Sequence, residues 1–166
     1  MRGKVLAGAL AATVGLLGTL EGVKLYPYLD VGGVPTVCMG STHDVEWRPY
    51  TAQECSEKAL TEVQVYWEGV LAKAPPETPG SVLGAMTSVA YNTGVRGWAV
   101  EAGRDSRFVI SLRNKDWVAA CAAITAPWQG RYGVSQGYKA TVGGKPHKGL
   151  ENRRAAEYNF CMEDLR

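Results

Sequence analysis

The fold is decided by residues 21–41, which read EGVKLYPYLDVGGVPTVCMGS. This stretch is rich in glycine, proline and β-branched residues, and Gly32-Gly33 marks a turn next to the short run Val34 to Met39. We therefore expect a small β-hairpin region over residues 21 to about 50.

The pattern behind this region is helical. A capping box at Thr51 to Glu54, followed by apolar residues spaced three and four apart, predicts a long amphipathic helix over about 52–73. Further helices are predicted from about residue 79 to the stop signal Gly94, after Ser106, after Asn114, and over about 150–162. Residues 128–147 contain five glycines and show no helical period, so they are predicted to form a long loop. The predicted fold class is α+β, with a hairpin region in front of a mainly helical lobe.

Length, charge and cysteine spacing exclude several functional classes. A chain of 166 residues fits one domain, and a net charge of +2 gives no reason to expect nucleic acid as a partner. The four cysteines include no C-x-x-C pair, and the two histidines, His43 and His147, form no H-E-x-x-H motif. We therefore expect neither a metal site nor a cofactor.

An apolar segment opens the chain. Arg2 and Lys4 precede sixteen uncharged residues, Val5 to Leu20, which is typical of a secretory signal, but no small-x-small cleavage site ends the segment. As a helix it would reach about 24 Å, short of a hydrocarbon core of about 30 Å. Nine of the sixteen residues are Gly, Ala or Thr, so the segment is only marginally suited to a bilayer.

Three roles are open for this segment: a stable membrane anchor, the buried first helix of a soluble domain, or both in succession. Glu21 follows the segment with no linker, so a permanent anchor would hold that residue at the bilayer surface. This favours the double role, with residues 1–20 as a membrane segment that later becomes the first helix, and residues 21–166 as the main domain.

Glu21, Asp30 and Thr36 could carry glycoside hydrolysis. That chemistry needs one carboxylic acid to protonate the leaving oxygen and a second carboxylate to activate water or attack directly. Glu21 would lie where an apolar helix meets the domain, a setting that favours a protonated carboxyl group, while Asp30 lies beside turn glycines. The hydroxyl of Thr36 could hold a water molecule. On spacing alone, a helix-end Glu, a turn Asp and a strand Thr explain the same residues.

The run Glu21-x8-Asp30-x5-Thr36 resembles the catalytic signature of the T4-type phage lysozymes. Residues 88–94 resemble the "F.YN.G" helix of that family, and residues 149–157 resemble its "GL..RR..E" helix. The resemblance covers nearly the whole chain from residue 21 onward. It implies a lysozyme-like fold and hydrolysis, with inversion, of the β-1,4 bond between N-acetylmuramic acid and N-acetylglucosamine in peptidoglycan.

The same resemblance implies the roles of the site residues. Glu21 would be the general acid, Asp30 the carboxylate that positions or activates water, and Thr36 the partner of Asp30. Asn92 could bind sugar or cap a helix, and the structural role is favoured. Arg153 and Arg154 are expected to be surface residues that stabilise the fold, with contact to peptide-stem carboxylates as the alternative.

Two positions depart from the family pattern. Cys38 stands where the strand motif "T-(I/V)-G-x-G-H" has its first glycine, and Ser41 stands in place of its histidine. That histidine is generally structural, so its replacement bears on local stability more than on activity. His43 is displaced from the histidine position by two residues, which could leave its side chain facing elsewhere.

The N-terminal segment is similar to that of the signal-anchor-release endolysins of phages that infect Gram-negative hosts. This implies an inactive form tethered to the host inner membrane through residues 5–20, facing the periplasm, and an active form released into the periplasm to cause host cell lysis. We expect the released form to be a monomer.

The cysteines permit three disulfide connectivities. We expect Cys38–Cys55, which would tie the hairpin to the long helix, and Cys121–Cys161, which would join two C-terminal helices. Because residues 1–37 contain no cysteine, thiol exchange between the N-terminal segment and the active site is excluded within the chain.

Two other functions fit part of the pattern. A lytic transglycosylase would need one acidic residue and would release an anhydro sugar, leaving Asp30 and Thr36 without a role. A wall-binding or membrane-tethered module could keep the fold without catalysis.

Overall fold

The computed structural model describes residues 2–30 and 33–166. A helical lobe makes up most of the molecule, and a hairpin region lies against its long second helix, so the α+β prediction is confirmed. The elements in chain order are α1 Arg2–Glu21, β1 Lys24–Leu29, β2 Pro35–Cys38, α2 Ala52–Leu71, α3 Gly80–Thr93, α4 Val95–Ala99, β3 Val100–Glu101, β4 Arg104–Asp105, α5 Arg107–Arg113, α6 Trp117–Thr125, β5 Trp128–Gly130, β6 Gly133–Ser135, β7 Thr141–Val142, β8 Lys145–Pro146, α7 Lys148–Cys161 and a final 3-10 turn Glu163–Leu165.

Helix α3 is the centre of the helical lobe. Every residue from Ser81 to Ala90 is buried, and α1, α2, α4 and α7 pack around it. A helix that is apolar on all sides can only be stable when it is surrounded in this way. Trp98 and Phe108 extend the same core. The rings of Phe108 and Tyr138 pack edge to face, with their centroids 4.7 Å apart.

Helix α1 crosses α3 at short range because α3 carries glycines on the contact face. A β-carbon at Gly84 would lie 2.6 Å from the hydroxyl oxygen of Thr13, and one at Gly80 would lie 3.0 Å from Ala9. Among the side chains from residue 6 to 21, only Thr13, Val14 and Leu17 are buried. Within the part of the chain that the structure describes, no helix is long and apolar enough to span a membrane.

Strands β1 and β2 form the predicted hairpin. They pair antiparallel, with Leu29 opposite Pro35 and Lys24 opposite Cys38, and the register is irregular between Lys24 and Tyr28. The turn expected at Gly32 falls outside the described residues. The chain leaves β2 by a second tight turn and reaches α2 through residues 42–51.

Helix α2 begins where the capping box predicts. The Thr51 hydroxyl accepts a hydrogen bond from the amide of Glu54 at 3.1 Å, and the Glu54 carboxylate accepts one from the amide of Thr51 at 2.7 Å. Its buried face follows the predicted spacing. Helices α3, α5 and α7 likewise lie where they were expected, and α6 is capped by Asp116, two residues beyond the predicted Asn114.

The prediction of a long loop over residues 128–147 is wrong. The segment forms two hairpins, β5–β6 and β7–β8, joined by a hydrogen bond of 2.9 Å from the amide of Tyr132 to the carbonyl of Gly144. A β-carbon at Gly130 would lie 2.6 Å from that same carbonyl oxygen. Gly130 and Gly144, two of the glycines that suggested a loop, are therefore needed for the close approach of the two hairpins.

Two disulfides cross-link the chain in the predicted pairing. Cys38–Cys55 joins the end of β2 to the first turn of α2, and Cys121–Cys161 joins α6 to α7 inside the core.

Candidate active site

Glu21 is the last residue of α1. Gly22 ends the helix with a φ of 72°, a conformation open to glycine, and the chain then enters β1. The Glu21 side chain is 32% exposed, and one of its carboxylate oxygens accepts from the guanidinium of Arg153 on α7. Glu21 thus lies, as expected, where the apolar helix α1 meets the rest of the domain, and its carboxylate has a cationic partner that the sequence did not reveal.

Arg153 belongs to a buried network of charges between α3 and α7. Its Nε donates to Glu157 at 3.0 Å, and Glu157, which is fully buried, also accepts from Arg154 and from the hydroxyl of Ser88 at 2.6 Å. Burial by itself lowers the pKa of Arg153, but the carboxylates of Glu157 and Glu21 raise the pKa by a larger amount. The pKa of Arg153 therefore lies above its usual value. The network holds the side chain that contacts Glu21 in one orientation.

The expected surface position of the two arginines is wrong. Arg153 is 7% exposed and Arg154 is fully buried, because Glu157 lies one helical turn away from both and neutralises them. Arg154 also donates to the side-chain oxygen of Asn92 and to the backbone carbonyl of Tyr138. Asn92 thus has a structural contact, and a contact between Asn92 and sugar stays a prediction.

Asp30 and Thr36 are brought together at the far end of the hairpin through the backbone of Val34. The Asp30 carboxylate accepts from the amide of Val34 at 2.9 Å, and the Thr36 hydroxyl donates to the carbonyl of Val34 at 3.0 Å. Since the hydroxyl proton of Thr36 is used in this way, its oxygen can only accept a hydrogen bond from a further group. Glu21 precedes the start of β1, whereas Asp30 follows the end of β1. Glu21 therefore lies at one end of the hairpin, and Asp30 and Thr36 lie at the other.

A cleft of about 540 Å³ opens beside the chain that follows β2, and its lining does not include Glu21, Asp30 or Thr36. It is lined by residues that follow β2, by Glu62 and Tyr66 on α2, and by Tyr91 at the end of α3. Burial raises the pKa of Tyr91 to about 12, and the carboxylates of Glu62 and Glu21 add to the shift. The charges of Glu62 and Glu21 thus both act on Tyr91. Sequence reasoning missed Glu62 and Tyr91, because only the folded chain brings α2 and α3 to the hairpin.

Ser41 takes up a contact with α2. Its hydroxyl donates to the carboxylate of Glu62 at 3.0 Å, and Glu62 lines the cleft. Within residues 2–30 and 33–166, no group of three or more His, Cys, Asp or Glu side chains could hold a metal ion.

Comparison with known proteins identifies the family. The family model described as "Phage lysozyme" matches residues 18–157. The chain belongs to the phage lysozyme family. This lysozyme is therefore a hydrolase of the endolysin type that acts on peptidoglycan, and its resemblance to the T4-type phage lysozymes is confirmed.

The relatives of this lysozyme include proteins called SAR-endolysins. One from Pseudomonas phage phiKMV is 30% identical over 166 residues, covering 98% of this chain and 91% of that protein. One from Bacteriophage PS119 is 29% identical over 145 residues, covering 86% and 77%. Among solved structures, the active form of the P1 phage endolysin Lyz superposes with a TM-score of 0.74 at 22% identity, covering 97% of this chain and 95% of that one, which shows a shared fold.

Proposed function

We propose that this lysozyme hydrolyses the β-1,4 bond between N-acetylmuramic acid and N-acetylglucosamine, with Glu21 as general acid. The observation that carries the proposal is the placement of Glu21: Arg153 fixes one oxygen of its carboxyl group at the start of the hairpin that holds Asp30 and Thr36. A third of the Glu21 side chain stays exposed, so a glycosidic oxygen can reach it. A carboxyl group in hydrogen-bond reach of the leaving oxygen is the geometric requirement for general acid catalysis.

Asp30 would then activate the attacking water, with Thr36 orienting it. The backbone of Val34 holds both side chains, and the Thr36 oxygen can accept one hydrogen from a water molecule whose other hydrogen points to Asp30. Attack by water from the face opposite the leaving group inverts the anomeric carbon. The product would carry a hydrated reducing end of inverted configuration, whereas a lytic transglycosylase would release an anhydro sugar.

The test is the conversion of Glu21 to Gln, which keeps the size of the side chain but has no acid proton. We expect the rate of glycan hydrolysis to fall by about 10²–10⁴-fold, with circular dichroism unchanged. Glu57→Gln, on the exposed face of α2, is the matched control and should retain the wild-type rate. The products of the wild type are analysed by mass spectrometry and by NMR of the anomeric proton. A folded Glu21→Gln variant with wild-type turnover would contradict the role of Glu21, and anhydro products would contradict hydrolysis.

We further propose that residues 5–20 tether the protein to the host inner membrane, facing the periplasm, and later fold as α1 of the released, active enzyme. The names of the relatives and the sequence of the segment support this. Because Glu21 is part of α1, the segment cannot lie in the bilayer and complete the site at the same time. Three positive charges at the N-terminus would oppose release against an inside-negative potential, at about 2.3 kcal/mol per charge and 100 mV.

The structure indicates which glycines to change in order to test the tether. A β-carbon at Gly8 or Gly15 would meet nothing within 4 Å, so both can be replaced without disturbing the folded enzyme. We expect Gly8→Leu plus Gly15→Leu to keep the protein in the membrane fraction and delay lysis, and Gly8→Ser plus Gly15→Ser to release it normally. Cells are fractionated before and after depolarisation, and the soluble form is sequenced from its N-terminus. Soluble active enzyme that begins after residue 20 would contradict the proposal.

A further inference from the structure

The chain makes a tight turn directly after the strand that carries Thr36. Cys38, Met39, Gly40 and Ser41 form this 38–41 turn, and Val37 and Ser41 close it by exchanging two backbone hydrogen bonds of 2.9 Å. The turn lies two residues beyond Thr36, so its geometry sets where that end of β2 lies.

The 38–41 turn is fixed to α2 at two points. Cys38 forms a disulfide with Cys55 in the first turn of α2, and the hydroxyl of Ser41 donates to Glu62. Cys55 and Glu62 are seven residues apart and therefore lie on one face of the helix. Only the disulfide is a covalent link, and the hydrogen bond depends on the turn being in place.

The same turn supports the end of α1. Met39 is buried against Val14 and Leu17, and a β-carbon at Gly18 would lie 3.2 Å from the terminal methyl of Met39. Gly18 lies less than one helical turn before Glu21. The position of the turn therefore affects both ends of the candidate site, Glu21 through α1 and Thr36 through β2.

Cys38 holds a backbone conformation that its residue type disfavours. Its φ is 61°, in the left-handed region that glycine enters freely and that other residues rarely adopt. In this chain a cross-link replaces the conformational freedom of glycine.

We propose that the Cys38–Cys55 disulfide is a positioning element of the active site, and that it acts by holding the 38–41 turn in its left-handed conformation. The proposal rests on the function proposed for Glu21 and Thr36. It follows that the enzyme gains full activity only after the two thiols are oxidised. In that step the two thiols together lose two protons and two electrons, and the disulfide bond of an external oxidant accepts them and becomes two thiols.

The second disulfide provides a control within the molecule. Cys121–Cys161 joins α6 to α7, and both cysteines are buried in the helical core away from the 38–41 turn. Its removal lowers the stability of the lobe without changing the geometry of the turn.

The experiment compares three variants without the Cys38–Cys55 link, each with Cys55→Ala and with Gly, Asn or Ala at position 38. Values of kcat and KM are measured on soluble glycan strands, at a temperature where circular dichroism shows wild-type helix content. We expect kcat to fall in the order Gly, Asn, Ala, the order in which these residues tolerate positive φ, with Ala about tenfold below the oxidised wild type and KM within about twofold. Cys121→Ala plus Cys161→Ala should keep the wild-type kcat.

The outcomes separate this inference from the proposed function. If the oxidised wild type does not hydrolyse the glycan, the proposed function fails. If the wild type is active and Cys38→Ala plus Cys55→Ala has the same kcat, the positioning role is overturned. Equal kcat values for the Gly and Ala variants would also overturn it, because the conformation of the turn would then not matter. Should the Ala variant fail to fold, the Gly and Asn variants supply the comparison.

Discussion

Helices α1 and α3 have similar compositions of small and apolar residues but very different surroundings. In α3, ten consecutive residues, Ser81 to Ala90, are buried, whereas the described side chains of α1 contribute only three buried residues. Leucines at positions 16 and 20 are only partly covered, and Gly8, Ala11 and Gly15 face solvent.

The difference shows that apolar composition alone does not decide burial. Helix α3 is surrounded on all sides and has no other stable environment, whereas α1 gains only part of the apolar burial that its sequence could provide. A segment that is weakly committed to the folded state is suited to two environments, which is what the proposed release from the membrane requires. The following changes test how far this contrast holds.

The largest effect is expected at Glu157 of α7, which accepts a hydrogen bond from Ser88 of α3. Glu157→Gln would leave Arg153 and Arg154 without their carboxylate partner in the core, and we expect the free energy of unfolding to fall by about 3–5 kcal/mol. Chemical unfolding followed by circular dichroism measures it. Glu163→Gln, at an exposed position, is the control, and similar stability losses in the two variants would contradict the role of the network.

A matched pair of leucines compares the two helices directly. Leu83 of α3 and Leu17 of α1 are 3% and 1% exposed. We expect Leu83→Ala to lower the free energy of unfolding of the lobe by about 2–5 kcal/mol. Leu17→Ala should affect the lobe less, but hydrolysis should then be lost at a lower denaturant concentration than the helical signal, because α1 detaches first. Coinciding transitions in the Leu17→Ala variant would show that α1 and the lobe unfold as one unit.

The smallest effect concerns acid stability at the start of α2. Hydrogen bonds from Arg48 and then from Thr51 lower the pKa of Glu54 from its usual 4.5 to about 2. A carboxyl group with a lowered pKa in the folded state adds stability above its unfolded pKa and loses it as the pH falls from 4.5 towards 2. Melting temperatures should therefore drop less between pH 6 and pH 2 for Glu54→Gln than for the wild type. The difference should be small, because Arg48 is exposed and solvent screens its interaction with Glu54. The same slope in both proteins would rule this group out.

Local patterns predicted most of the helices. Thr51 with Glu54, Gly94 and Ser106 are signals that act within one or two turns of the backbone, so they can be recognised without the rest of the fold. The hairpins over residues 128–146 were not predicted, because Gly130 and Gly144 serve contacts between the two hairpins, which no local pattern records.

The candidate site was predictable in part for the same reason. Glu21, Asp30 and Thr36 lie within one short stretch of sequence, and their spacing carries the family resemblance. The partner of Glu21 was not predictable, because Arg153 lies far along the chain and reaches Glu21 only through the packing of α7. Glu157 follows Arg153 by four residues and Arg154 by three, which places its carboxylate beside both side chains on a helix. This spacing is the one feature of the sequence that indicates that the two cations are neutralised within the fold.

Both disulfides lie after residue 37, and the joint between α1 and β1 consists of exposed residues, Gly22 among them. A protease that cuts this joint would separate α1, and Glu21 with it, from a remainder that both cross-links still hold. The enzyme would then lose its proposed acid while keeping most of its core. In a lysate rich in proteases, its working lifetime would depend on this one exposed segment more than on its melting temperature.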